Sequence, residues 1–489
     1  MELGNTSARL VNTAAPSAPE VPITPSYGLK SGALSPVQTL AQSVAIIAPT
    51  GAPVMTVPLV FGLAGPGCAM AFLIATIAVL LVGLNVNQFA RMSASPGSLY
   101  TYIADHMHPR WGVLAGWALL IAYLGTAASV SAGVSNYVDV ILRDGFALPG
   151  FPLAVTTLVT FICCYLAYRD IQISTRLMLW LQVASVALIS VLVIAVIARH
   201  GWKLDMEQLA FQGVTPEKLR LGLVLAMFSL VGFESATSLG SEARDPLVNI
   251  PRAVKWSAIL SGAFFFLCAY AEVLAFRGES ESLAQNPAPL HVLARQMGLP
   301  PLIGLLTDLG AVVTFFACFL GCITAAARVL FLMARHGALH SMLGEAHEQN
   351  QTPHRAVLWC SIAAFVPAAV MTLRGMNLFD IYGLLGTLST FGFVTAYVLV
   401  CTAAPLFLRS RGRLTPKSVA ISLLAIIAMI VALLGNLYPV PETPYSYLPY
   451  LYAGLLFLGF AWSMMWRARA PSPTPAMESG LSGVPNEAE

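Results

Sequence analysis

Glu234 follows Gly232 and Phe233 halfway along an apolar run of membrane length, about 219–242. A carboxylate at that depth is expensive in hydrocarbon, and acids kept there serve function by default. A second interruption, Ala48-Pro49-Thr50-Gly51-Ala52-Pro53, lies one half-chain earlier. Two Gly/Pro-broken apolar segments at matching places in two halves are the sequence sign of a secondary transporter, its site near the membrane midplane.

The chemistry each break offers follows from its backbone. Pro49 and Pro53 lack an N–H and crowd the carbonyl four residues back, and Gly51 between them adds freedom. The first span is therefore predicted to unwind and to present the N-terminal end of its second half around Ala48, Thr50, Gly51 and Ala52. Free N–H groups and the positive dipole end there attract a carboxylate, and Thr50 adds a hydroxyl donor. The second break, around Phe228, Ser229, Gly232 and Phe233, would offer free carbonyls to an ammonium group. An anion cradle facing a cation cradle suits a zwitterion. Glu234 could bind the ammonium, hold the unwound turn open, or carry a proton; a purely structural capping role is the alternative. Thr126 and Ser129, three apart, share a helix face and could reach the substrate. Phe228, Phe233, Phe315 and Phe316 are the candidate aromatic gates, against the plainer reading that they pack.

The elements that must position these residues are membrane spans. The chain has 489 residues, 57% hydrophobic and only 10% charged, where a soluble domain carries roughly 25% charged. At about 20 apolar residues per span, twelve segments qualify: 36–64, 67–92, 111–142, 151–168, 174–198, 219–242, 255–277, 301–335, 355–374, 378–408, 416–439 and 446–467. With the N-terminus inside, 18 of the 26 Lys and Arg residues fall on the cytoplasmic side, so both termini are expected there. Residues 1–34 and 468–489 read as disordered cytoplasmic tails around a transmembrane domain 35–467. The first tail has no apolar core, so no cleavable signal is expected. The net charge of +3 is small and dispersed, which argues against nucleic acid. Eight cysteines, nearly all in apolar spans, make no CxxC pair and read as packing residues. His336 and His340 are four apart in the loop 336–354, a spacing that can bind metal, but a solvated loop is the simpler reading; no metal site, cofactor or catalytic group is expected.

The second break continues as Glu242-Ala243-Arg244-Asp245-Pro246 and Ile250-Pro251-Arg252-Ala253, with Ser95-Pro96-Gly97-Ser98 after span two and Met333-Ala334-Arg335-His336-Gly337 closing span eight. These matches resemble the amino acid–polyamine–organocation superfamily, from about Ser35 to Arg467. The resemblance implies an all-α integral membrane protein with a LeuT-type fold: two inverted five-helix repeats (here 36–198 and 219–408), spans one and six broken, and two added helices at 416–467. It implies a permease of the cytoplasmic membrane, a symporter or antiporter for amino acids or related amines, coupled to H⁺ or Na⁺ or running by exchange. An amine, polyamine or ethanolamine permease, and a non-transporting sensor, are the alternatives; an oligomer is compatible with the fold. Many such proteins carry Gly-Ser/Thr-Gly-Ile in span one, where this chain has Ala48 to Ala52. Some proton-coupled members place a lysine in span five; that position falls near Ser185, a neutral sodium neighbour or a packing residue.

Overall fold

The computed structural model describes residues 28–169, 171–202, 204–209, 214–277, 282–438 and 440–469. Its helices are α1 Pro36–Ile47, α2 Val57–Ala64, α3 Cys68–Ala90, α4 Ser98–His106, α5 Pro109–Val140, α6 Pro152–Arg169, α7 Ile171–Arg199 and α8 Met206–Leu209. There follow α9 Pro216–Phe228, α10 Pro246–Ala275, α11 Pro289–Gln296, α12 Pro301–Arg335, α13 His354–Leu373, α14 Leu378–Ser410, α15 Pro416–Gly435 and α16 Leu448–Arg469. Among the described residues the only extended pairing is one bridge, Leu34 with Ala243.

Proline begins many of these helices, at the first position, where its missing N–H costs nothing and its fixed φ suits the turn. At the start of α1 a capping box closes: Ser35 Oγ accepts from Gln38 N–H, and Gln38 Oε1 accepts from Ser35 N–H. Most long helices are apolar all round, because each meets either other helices or lipid.

Ten stretches are long and apolar enough to cross a membrane. The first, Pro36–Ala90, contains a hinge at Gly65–Gly67 and so holds two of the predicted spans. The predicted sixth span is not among the ten, because α9 stops at Phe228 and its continuation is not α-helical.

Equivalent helices of the two halves pack on each other: α3 against α10, and α5 against α12. The short helix α4 separates α3 from α5, and α11 separates α10 from α12 in the same order. That correspondence is what a duplicated five-helix unit produces. α5, α12 and α14 form the centre, whereas α15 and α16 lie at the edge with many exposed apolar side chains.

Leu34, at the end of the expected N-terminal tail, is buried and exchanges backbone hydrogen bonds with Glu242 and Arg244. Residues 1–27 and 470–489 lie outside the described residues.

Candidate functional site

The first span breaks where its prolines and glycine stand. α1 ends at Ile47, and Ala48 takes a left-handed conformation (φ 50°), its N–H reaching back to Val44 and Ala45 carbonyls. Left-handed backbone costs a residue with a Cβ roughly 1–2 kcal/mol, and such strain gathers at functional sites. Gly51 N–H then closes a turn on Ala48 O at 2.7 Å. A π-helical turn, Ala52–Thr56, leads into α2.

The second break faces the first. Ser229 to Glu234 form an irregular turn between α9 and a 3₁₀ segment, Ser235–Leu239. Gly232 has φ 84°, and a Cβ there would lie 2.1 Å from Ile46 Cγ2. Only glycine satisfies both the angle and the approach. Below the turn, Ala236 N–H donates to Ser43 Oγ at 3.0 Å and Ser98 bonds Thr237 at 2.6 Å. These contacts tie the second break to α1 and α4.

Between the breaks lies a small cavity lined by Ile46, Ile47, Ala48, Gly51, Ala52, Thr56, Thr126, Val130, Phe228, Ser229, Cys318 and Tyr382. No charged side chain lines it. Its free space, about 10 Å³ for the centre of a water-sized sphere, is close to the minimum for one water. At its wall rings meet: Tyr382 packs on Phe228 at 5.6 Å and on Phe315 at 5.5 Å, and Phe315 reaches Tyr137 at 6.3 Å. Tyr382 Oη shares a 2.9 Å hydrogen bond with Thr56, and Tyr137 donates to Val54 O at 2.7 Å.

Of the residues singled out in the sequence, Ala48, Gly51, Ala52, Thr126, Phe228 and Ser229 line the cavity. Thr50 points away from it and bonds Thr314 of α12. Ser129 donates to Tyr382 O at 2.7 Å, holding α5 against α14 beside the lid ring. Phe315 covers Gly51, where a Cβ would sit 2.8 Å from its ring. Phe316 is half-buried on the far side of α12, its carbonyl accepting from Cys163. Phe233 is buried behind the turn against Tyr397 and Gly83. Ser185 is buried against Gly310, eight residues along α12 from Cys318. Ser185 does not line the cavity.

Glu234 does not line the cavity. It is fully buried on the other side of the turn, where Tyr123 of α5 donates to Oε1 at 2.8 Å and Tyr397 of α14 to Oε2 at 2.6 Å. Tyr397 Oη also accepts from Gly232 N–H at 3.2 Å. The carboxylate thus ties the unwound turn to two other helices. Tyr382, Tyr397, Cys318 and Thr314 complete the site and were not assigned to it from sequence. Their only signal is a polar group inside an apolar span, which many packing residues share. Of the loop histidines, His336 pairs with Tyr100, and His347 meets Tyr168 and His354 edge-to-face.

Residues 40–467 match the family model described as amino acid permease. The chain belongs to the amino acid permease family. This permease is 23% identical over 359 residues to a branched-chain amino acid permease of Bacillus subtilis, covering 69% of this chain and 74% of that one. It is 25% identical over 374 residues to a branched-chain amino acid permease of Lactococcus lactis, covering 73% and 77%. Cationic amino acid transporter 4 of Mus musculus is 24% identical over 375 residues, 72% of the permease and 56% of the transporter. Among solved structures, MhsT in complex with L-phenylalanine superposes with a TM-score of 0.53 at 16% identity, covering 83% of the permease and 99% of MhsT. That likeness gives the permease the LeuT-type fold.

Proposed function

We propose that this permease carries a neutral α-amino acid with an apolar side chain across the cytoplasmic membrane by alternating access. The observation that carries the reading is the cavity between the two breaks, which has backbone on two sides, apolar and aromatic walls, and no charged side chain. The turn at Ala48–Ala52 takes the carboxylate, and the carbonyls before Ser229 take the ammonium. Ile46, Val130, Phe228 and Tyr382 surround the side chain. The names of the bacterial relatives, branched-chain amino acid permeases, support an aliphatic substrate.

A cationic amino acid would need a carboxylate at the cavity, and Glu234 is held away from it by two tyrosines. Glu234 is accordingly assigned to holding the unwound turn. Transport is coupled to H⁺ or Na⁺ or runs as exchange, with both termini on the cytoplasmic side.

Counterflow into proteoliposomes preloaded with mixed amino acids tests this directly. Labelled leucine or valine is expected to accumulate, and labelled lysine or ethanolamine is not; the reverse pattern would sink the substrate assignment. Gly51→Leu, which pushes into the Phe315 ring, is expected to lower counterflow at least tenfold in folded protein. Unchanged apparent affinity in that variant would count against the carboxylate cradle.

A further inference from the structure

A second cavity, of about 190 Å³, opens between α3, the end of α14 and the start of α15, far in sequence from either break. Its walls divide by chemistry. Leu408 and Ile421 supply apolar surface, whereas Asn85, Gln88, Thr415 and Lys417 supply polar groups and one cation. Asn85 is 3% exposed and fixed, its Oδ1 accepting from Ser422 at 2.5 Å and its amide donating to Leu81 O at 2.9 Å. No carboxylate lines the cavity.

The last turn of α14 and the connection into α15 add Arg409, Arg411 and Arg413, all exposed. Among the described residues none of these three, nor Lys417, makes an ion pair. Four cations without an ion pair among the described residues thus stand at the end of α14 and the start of α15, and one of them, Lys417, lines a cavity with both polar and apolar walls. The N-terminal end of α15, capped by Thr415, adds its own preference for an anion.

We propose that this cavity holds an anionic phospholipid of the inner leaflet, its phosphate on Lys417 and an acyl chain along Leu408 and Ile421. Basic pockets between membrane helices on the cytoplasmic side take acidic headgroups in this way. The lipid bridges α3 of the first repeat, α14 of the second and the added helix α15. This site is independent of the transport cavity, so it stands or falls separately from the substrate assignment.

The test is thermal unfolding of the detergent-purified full chain with phosphatidylglycerol, with phosphatidylcholine of the same chain length, or with inorganic phosphate. Phosphatidylglycerol alone is expected to raise the midpoint. Lys417→Gln is expected to weaken its apparent affinity about fivefold, the worth of one Lys near an anionic surface. Ile421→Trp, which fills the apolar end without changing charge, is expected to weaken it as well. Both variants are compared without lipid, where their midpoints should match the parent. Equal stabilisation by phosphatidylcholine, equal stabilisation by inorganic phosphate, or unchanged phosphatidylglycerol affinity in both variants would each overturn the proposal.

Discussion

Glu234, in the irregular turn of the second break, and Glu272, in α10, are both fully buried acids, yet the fold treats them differently. Glu234 has a tyrosine on each oxygen. Charge-assisted bonds of that kind are about twice as strong as neutral ones, and here they fix the turn that carries Gly232. Glu234→Gln is expected to cut counterflow at least tenfold while the protein stays folded, because an amide cannot accept from both phenols as a carboxylate does. Full, still coupled uptake by that variant would remove Glu234 from the mechanism. Glu272, near the end of α10, has no hydrogen-bond partner on either oxygen among the described residues. An unmet buried polar group costs about 1–3 kcal/mol. Glu272→Met, similar in length and free of charge, is therefore expected to raise the thermal midpoint by a few degrees. A lowered midpoint would show that the carboxylate has a partner. Glu234 was legible in the sequence because it stands beside a glycine break; Glu272, near a span end, carries no such mark, and only packing put it out of water.

At the scale of elements, the two half-helices are held by partners brought from far along the chain. Arg328 of α12 donates through Nε and Nη2 to Glu242 Oε1 at 2.9 and 2.6 Å, with the pair 3% and 1% exposed. Its Nη1 donates to Thr324 O at 2.9 Å. Glu242 lies just beyond the 3₁₀ segment, and its carbonyl accepts from Leu34 N–H, so one ion pair ties α12, the second break and the N-terminal strap together. Losing one partner of a buried pair costs about 3–5 kcal/mol, because the other charge is left uncompensated. Arg328→Ala should therefore lower the thermal midpoint sharply in detergent. Replacing both partners by Met should recover much of it, and failure of that rescue would mean that the pair contributes more than mutual neutralisation. In the sequence Glu242 belongs to a recognisable stretch, but nothing there pairs it with Arg328 across 86 positions.

The whole molecule depends on joints outside the membrane helices as well. His336 caps α12, its Nδ1 in a 2.9 Å hydrogen bond with Tyr100 of α4, and its carbonyl accepts from Arg467 of α16 at 3.3 Å. Burial, aided by the Arg467 charge, pulls its imidazole from 6.5 down to about 4. The folded ring thus stays neutral where the unfolded ring takes a proton. Its contribution is fully present above pH 6.5 and is lost as pH falls through about 4. Thermal midpoints measured across that window should fall, and His336→Gln should flatten part of the fall; an identical slope in the variant would assign the acid sensitivity elsewhere.

The sequence by itself determined the solvent, the spans and the places where two of them break. Low charge, apolar runs of membrane length and Pro or Gly inside them act locally, through backbone hydrogen bonding that does not depend on what lies across the bundle. Tertiary structure alone decided which side chains meet at those breaks. Tyr382 closes the cavity from α14, and Tyr123 and Tyr397 take Glu234 out of it. Thr314 draws Thr50 aside. Helices apolar on every face carry little periodic signal of which face turns inward, so these contacts are set by packing between segments that the chain keeps far apart.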